Sequence, residues 1–126
     1  MGRVISFRGK HIHIVPGNTK FNGSWIYGYY AGEGYIVSYG DEVLIDKESL
    51  GEYSGLRDKN NIEIYEGDII KTDLDNKLGV IVFAEGSFRV KTKRVTVGLN
   101  WLLDLTKVEV IGNIYDNPEL LEESEE

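Results

Sequence analysis

Apolar and polar residues alternate most regularly in residues 78–93, where two alternating runs flank Glu85 and Gly86. Alternation with a period of two is typical of half-buried strands, and a Gly in a short polar turn is typical of a hairpin. A two-residue loop sets the register of the two strands. The predicted apolar pairs are Phe83 with Phe88 and Ile81 with Val90. The pairs predicted on the opposite face are Val82 with Arg89 and Val80 with Lys91.

Two further strands are predicted on either side of this hairpin. Residues 68–72 follow a turn at Glu66 and Gly67, and residues 108–115 form a second β-branched run. A short helix is predicted after them, since a capping residue, a proline in the first turn and an early acid favour a helix start. These three residues are Asn117, Pro118 and Glu119.

The N-terminal half contains three aromatic-rich strand patterns. They are residues 4–7, residues 25–30 and residues 35–39. The first is predicted to end in a basic turn at residues 8–10, and the other two are joined by a Gly-rich turn at residues 32–34. The resulting pairs are Tyr29 with Val37 and Tyr27 with Tyr39. Together with Trp25 they form one aromatic stripe, which we expect to fill a small core or to contact a second copy. The alternative is that the stripe stacks bases or sugars.

These patterns predict a mainly β protein. The short, sharply turned strands of residues 51–118 favour a small barrel or a strongly bent sheet, because closure removes exposed strand edges. Residues 1–50 form an N-terminal β segment that either extends this sheet or builds a separate β lobe. Residues 119–126 form a short acidic helical tail.

Composition narrows the class of protein. The 126 residues suit one domain or two very small lobes. Gly is frequent, at 15 residues, and Pro is rare, at 2, which favours turn-rich β structure over disorder. The sequence has no Cys, so disulfides and thiolate metal sites are excluded. It also has no long apolar run and no basic apolar leader, so we expect a cytoplasmic protein.

The net charge of −7 is concentrated at the C-terminal end. Five Glu residues lie within the last eight positions, and without them the rest of the chain would carry only −2. They are Glu119, Glu122, Glu123, Glu125 and Glu126. A short acidic run is typical of a solvated end.

Residues 51–70 read GEYSGLRDKNNIEIYEGDII, residues 7–10 and 23–28 read FRGK and GSWIYG, and residues 109–121 read EVIGNIYDNPELL. Together these segments resemble the YopX family of phage and prophage proteins. They occur in the family's order and cover most of the chain. Asn61 stands where the family pattern has Gly, and Asn tolerates a positive φ well.

The resemblance implies an SH3-like barrel in the second half and a phage or prophage origin, but no activity. The motif residues are predicted to have structural roles. They shape turns, permit close approach of the backbone and, at Asp58, form an Asx turn. They are Tyr53, Gly55, Leu56, Asp58, Glu66, Gly67, Asp68, Gly112 and Asn113.

Metal-ligand patterns are weak. His11 and His13 share a face if they lie in a strand, but no third ligand accompanies them. Residues 58–60 and 73–75 resemble the start of a calcium loop, but the Gly and the bidentate Glu of such a loop do not follow. We expect no metal and no cofactor.

Catalytic patterns are equally weak. Glu66 and Asp68 form a carboxylate pair around Gly67, a spacing more typical of a shaped turn than of acid–base catalysis. No nucleophile elbow, phosphate-binding loop or dinucleotide-binding pattern occurs. We therefore expect no catalytic residues and no enzymatic activity.

The most distinctive polar set is basic. Arg89, Lys91 and Lys93 alternate with apolar residues, so they are predicted to point from one face of one strand, and Arg94 extends the run. Such a stripe can contact phosphates, and small barrels bind single strands with cations and aromatic rings. The alternative is a solvated strand face on which Lys discourages edge pairing.

Two functions follow from these patterns. The first is a phage or prophage accessory protein that is non-enzymatic and acts by binding protein, either by self-association or with a host or phage partner. The second is a nucleic-acid-binding small barrel that uses the basic strand face. No membrane partner is expected.

Overall fold

The fold was analysed in a computed structural model, which describes residues 6–15 and 18–122, without the side chains of residues 13–23. The chain forms two compact units, Met1–Tyr53 and Ser54–Glu126. Nearly all regular structure is antiparallel sheet, which confirms the predicted mainly β class. The elements are β1 Phe7–Val15, β2 Asn18–Gly32, β3 Tyr35–Ser38, β4 Asp41–Arg57, β5 Glu63–Tyr65, β6 Asp68–Thr72, β7 Leu78–Ala84, β8 Ser87–Lys91, β9 Thr96–Gly98, α1 Leu99–Leu105, β10 Val108–Asn113 and α2 Glu119–Glu122. Neither helix in this described part has the length and apolar content needed to cross a bilayer.

The strands of the first unit pair in a cycle. β1 pairs with β2 and β4, and β3 also pairs with β2 and β4. Gly9 and Gly28 lie on the inside of this cycle, where a Cβ at Gly9 would press on Ile45 and a Cβ at Gly28 would overlap the carbonyl oxygen of Val37. Both glycines belong to the FRGK and GSWIYG segments, so these motifs mark positions where no side chain fits.

The β1 segment corrects two predictions. Residues 8–10 lie within β1 and not in a turn, with Arg8 opposite Tyr27. The predicted pairing of Tyr29 with Val37 is confirmed, but that of Tyr27 with Tyr39 is wrong. Tyr39 follows β3 at a φ of 51° in an exposed turn, because the chain reverses there into β4. The predicted strand at residues 4–7 lies mostly outside the described residues.

The second unit is a sheet of order β10-β6-β7-β8-β9. All four predicted pairs of the β7–β8 hairpin are present, which confirms its register. Ile81 and Val90 are buried, whereas Phe83 is about half exposed and meets the ring of Phe88 edge-on at 5.0 Å. The core therefore ends before the tip of the hairpin. Because β10 and β9 are the ends of the strand order, closure into an SH3-like barrel stays a prediction.

The core of the second unit draws on elements that the strand patterns did not predict. Helix α1 contributes Leu99 and Leu102, and β5 contributes Ile64. The remaining buried members are Ile70, Ile81, Val90 and Val108. Helix α1 has only seven residues and no side-chain cap, so its local signal is weak and its stability depends on packing against the sheet.

The close approach at Gly28 leads to a stability prediction. We expect Gly28→Ala to lower the free energy of unfolding by about 3 kcal/mol, because the new methyl group must displace the β3 backbone. Chemical denaturation measures this change. Gly40→Ala is a useful comparison, since Gly40 lies at a φ of 85° in open space, so its cost comes from backbone strain without a clash. Equal, small effects of the two substitutions would contradict the proposed close packing.

Candidate functional site

An apolar pocket of about 230 Å³ opens on the second unit. Four large apolar residues line it although each is more than half exposed: Leu74, Val95, Trp101 and Leu105. Its inner wall consists of core side chains, among them Ile70, Val90 and Leu102. Exposed large apolar residues that converge on one cavity are typical of an interaction site.

Helix α1 supplies two of these residues. Trp101 and Leu105 are four positions apart and so lie on one face of the helix, while Leu99 and Leu102 are buried in the core. The segment LNWLLDL therefore carries more apolar surface than one buried face requires. This excess is the signal by which the site could have been found in the sequence.

Two turns supply the other walls. In the loop after β8, the hydroxyl of Thr92 accepts hydrogen bonds from the backbone N–H groups of Arg94 at 3.2 Å and Val95 at 3.1 Å. In the turn after β6, the carboxylate of Asp75 accepts hydrogen bonds from the Thr72 hydroxyl at 2.6 Å and the Lys77 N–H at 3.0 Å. These bonds hold both turns against the pocket.

Asp75 is the acidic member of the pocket lining. The hydrogen bond from Thr72, followed by the one from the Lys77 backbone, lowers the pKa of its carboxyl below the ordinary 3.8. Both donors stabilise the ionised form. Lys77 belongs to the same lining, so the pocket combines apolar walls with one anionic and one cationic side chain.

The basic set lies elsewhere on the second unit and is less uniform than predicted. The Nε of Arg89 donates a hydrogen bond to the carbonyl of Ala84 at 3.1 Å. Strand β8 ends at Lys91, so Lys93 and Arg94 lie in the bend that follows it. The prediction of three cations on one strand face is therefore wrong for Lys93, because the Thr92 turn ends the strand. β8 also lies between β7 and β9 and is not an edge strand.

Lys91 and Lys93 border a second groove of about 420 Å³. Its other main contributors are apolar: Leu78, Val80, Val82 and Leu121. The two cations therefore stand beside aliphatic side chains, with no aromatic residue in the groove lining.

Asp58, one of the motif residues, links its own turn to a distant strand. One carboxylate oxygen accepts from the N–H groups of Asn60 at 2.8 Å and Ile62 at 2.9 Å, which is the predicted Asx turn. The other oxygen accepts from the N–H of Val110 at 2.9 Å, 52 positions away. Asp58 itself is buried, although the Asn60 and Ile62 side of the turn is exposed.

The motif residues after β5 also make turn contacts. Asp68 is buried and accepts a hydrogen bond from the N–H of Tyr65 at 2.7 Å, across the turn that contains Glu66 and Gly67. Gly67 has a φ of 95°, and a Cβ there would press on the ring of Tyr115.

The remaining motif residues lie near β4 and β10. Gly55 has a φ of 85°, Leu56 packs on the core, and Tyr53 is buried with its N–H bonded to the carbonyl of Ser6 at 2.7 Å. Asn113 accepts hydrogen bonds from the N–H groups of Tyr115 at 3.0 Å and Asp116 at 2.9 Å. A Cβ at Gly112 would meet the side chain of Asn117.

The sequence and the fold were compared with known proteins. The YopX protein family matches residues 20–122. The chain belongs to the YopX family. No curated protein matches it significantly. The fold resembles the crystal structure of protein EF1440 from Enterococcus faecalis, with a TM-score of 0.54 and 22% identity over 95% of this chain and 99% of that chain.

The other candidate groups of this YopX family member have structural contacts. Asp73 forms an ion pair with Lys59 at 3.1 Å. Asp68 of the Glu66 and Asp68 pair is buried on the Tyr65 backbone. Within the residues that the structure describes, no three His, Asp or Glu side chains come together as metal ligands. The side chain of His13 lies outside the described residues.

Asp58 leads to a stability prediction. We expect Asp58→Ala to lower the free energy of unfolding by about 3 kcal/mol, since three backbone N–H groups lose a charged acceptor. Asp73→Ala is the matched control, because it removes only an exposed ion pair worth less than about 1 kcal/mol. Denaturant unfolding curves compare the two variants. Similar values for both would contradict the role given to Asp58.

Asp75 leads to a pH prediction. The pKa of Asp75 is lowered in the folded protein. Its hydrogen bonds therefore stabilise the turn fully at pH values above the ordinary pKa of 3.8. This stabilisation is lost as the pH falls through the lower pKa of the folded state. We expect Thr72→Val to raise the pKa of Asp75 and Thr72→Ser to keep it low. NMR titration of the carboxyl carbon measures both. An unchanged pKa in Thr72→Val would contradict the assigned hydrogen bond.

Proposed function

We propose that this YopX family member is a non-enzymatic phage or prophage accessory protein that acts by binding another protein in the host cytoplasm. The observation that carries the proposal is the pocket formed by Leu74, Val95, Trp101 and Leu105. The proposal includes an SH3-like second unit as the scaffold for this pocket. Membership in a family of phage and prophage proteins of unknown function supports the accessory role.

The chemistry of the pocket favours a protein segment as the ligand. An exposed Trp beside a cavity is a typical anchor of a protein interface, and apolar side chains of a partner fill such cavities. The pocket lining is mainly apolar, and all four of its exposed large side chains are hydrophobic. The binding energy would therefore come mainly from burial of apolar surface.

The net charge of the chain favours a partner that carries basic residues beside its apolar anchor. The chain carries −7 at pH 7, five of these charges lie in the last eight residues, and the pocket lining itself holds both Asp75 and Lys77. The net negative charge of each copy disfavours a second copy as the occupant. A standard protein interface uses roughly 20–30 residues of each partner. The four exposed side chains of the pocket are far fewer, so they suit a short segment better than a whole protein surface. A short amphipathic segment of another protein fits both observations.

Nucleic-acid binding through the Arg89 face has weaker support. Arg89 is hydrogen-bonded to the carbonyl of Ala84 on β7, and Lys91 and Lys93 stand beside aliphatic residues. That surface has charge for phosphates but lacks rings on which bases could stack.

Selection of peptides on the immobilised full chain tests the proposal. We expect peptides displayed from a random library to be enriched for a large aliphatic or aromatic residue with Lys or Arg nearby. Binding of the enriched peptides should weaken at least about tenfold in Trp101→Ala, since a central Trp contributes about 2 kcal/mol or more. Isothermal calorimetry with the synthetic peptides measures this change.

Phe83→Ala is the matched control, because Phe83 is a similarly exposed aromatic residue of the same unit that does not line the pocket. Enrichment that does not depend on Trp101, or no enrichment, would overturn the proposal. Light scattering tests whether a second copy of the chain occupies the pocket. A mass above 14.2 kDa that falls to the monomer value in Trp101→Ala would make a second copy the occupant in place of another protein.

A further inference from the structure

The first unit has a one-sided charge distribution that the function proposed above does not use. The first 32 residues contain no Asp or Glu, and all 21 acidic residues follow them. The same segment contains four basic residues, namely Arg3, Arg8, Lys10 and Lys20. Strands β1 and β2 are therefore free of acidic residues within a chain of net charge −7. Such an asymmetry is typical of contact with an anionic polymer.

Aromatic residues line the outer face of this strand pair. Trp25, Tyr27 and Tyr29 alternate along β2 and so share one face. Tyr27 is 47% exposed and Tyr29 is 58% exposed. The opposite face of the strands is the inside of the unit, where a Cβ at Gly9 or at Gly28 would not fit. The tyrosine rings thus lie outside the core, which corrects the expectation that the stripe fills it.

Cations are held at one end of the aromatic row. The guanidinium carbon of Arg8 lies 4.4 Å from the ring centroid of Trp25, and the Lys10 ammonium lies 5.2 Å from it. Trp25 therefore orients two positive charges by cation–π contact. Arg8 is buried and Lys10 is partly exposed, so Lys10 is the cation that a solvent-side ligand reaches.

The acidic residues that bound the aromatic row belong to β4 and to the turn after β2, where Glu33 is exposed. Asp46 pairs with Lys10, and its carboxylate accepts a hydrogen bond from the Glu48 N–H at 3.1 Å. Glu42 pairs with Val37 of β3. An anionic chain would consequently follow β2, away from β4.

We infer that the outer face of β1 and β2 binds single-stranded nucleic acid. Unpaired bases stack on Tyr27 and Tyr29, and a backbone phosphate contacts Lys10. Exposed aromatic residues on a sheet stack bases of any sequence, and flanking cations hold the phosphates. A neutral saccharide can also stack on tyrosine, but it gains nothing from the oriented cations. The inference does not depend on the apolar pocket of the second unit.

Fluorescence anisotropy of labelled oligonucleotides tests the inference. We expect the full chain to bind oligo-dT and oligo-U of about 15 nucleotides with a Kd on the order of 10 µM at about 50 mM salt. Tyr27→Ala and Tyr29→Ala should each weaken binding about tenfold, because each removes a stacking platform. Lys10→Gln should reduce the slope of log Kd against log salt by about 0.7, the loss of one phosphate contact.

Matched variants separate this surface from others. Tyr39→Ala, which removes a fully exposed tyrosine in the turn after β3, should leave the affinity unchanged. The same holds for Trp101→Ala and for the triple substitution of Arg89, Lys91 and Lys93 to Ala. Tyr27→Phe and Tyr29→Phe keep the rings and should retain binding, and circular dichroism checks that each variant is folded.

Several results would overturn the inference. They are no anisotropy change at protein concentrations up to about 100 µM, binding that survives loss of both tyrosine rings, and binding that the triple basic variant abolishes. Binding of a neutral oligosaccharide such as cellohexaose in place of both oligonucleotides would also overturn it. A preference for oligo-U would identify the ligand as RNA, and a preference for oligo-dT would identify it as DNA. Either result would support the inference.

Discussion

The second unit depends on one buried carboxylate. Asp58 satisfies three backbone N–H groups, two in its own turn and one on β10. The neighbouring backbone reinforces this link, since the N–H of Lys59 bonds to the carbonyl of Val108 at 3.0 Å. Buried N–H groups without an acceptor are costly, so the turn and the last strand are specified together. Such a link closes a loop of about fifty residues with a single side chain.

The first unit depends on close backbone approach. Gly9 and Gly28 let strands pack where a methyl group would not fit, and the cycle of pairings leaves the inside narrow. Tyr30 shares the Gly28 face and contacts the ring of Phe7, whereas Tyr27 and Tyr29 lie on the outer face. Exposure of Tyr27 and Tyr29 is therefore a consequence of how the unit is built, and the same geometry supplies the surface assigned to nucleic acid.

The two units present different chemistry to their ligands. The pocket of the second unit offers aliphatic and indole surface with Asp75 and Lys77 in its lining, which suits an apolar segment flanked by polar residues. The aromatic row of the first unit offers flat rings with oriented cations, which suits a polyanion. An accessory protein with both surfaces would bind protein and nucleic acid independently.

The local sequence pattern determined the mainly β class, the register of the β7–β8 hairpin and the position of the last strand. In these segments the side chains that alternate along the strand also decide which face is buried. The structural role of Asp58 was also accessible, since an Asx turn needs only nearby residues. Tertiary structure alone decided that α1 forms, because seven residues without a cap are stable only when packed on a sheet. It also decided that Trp101 and Tyr29 remain exposed, since an apolar residue is buried only if another part of the chain arrives to cover it.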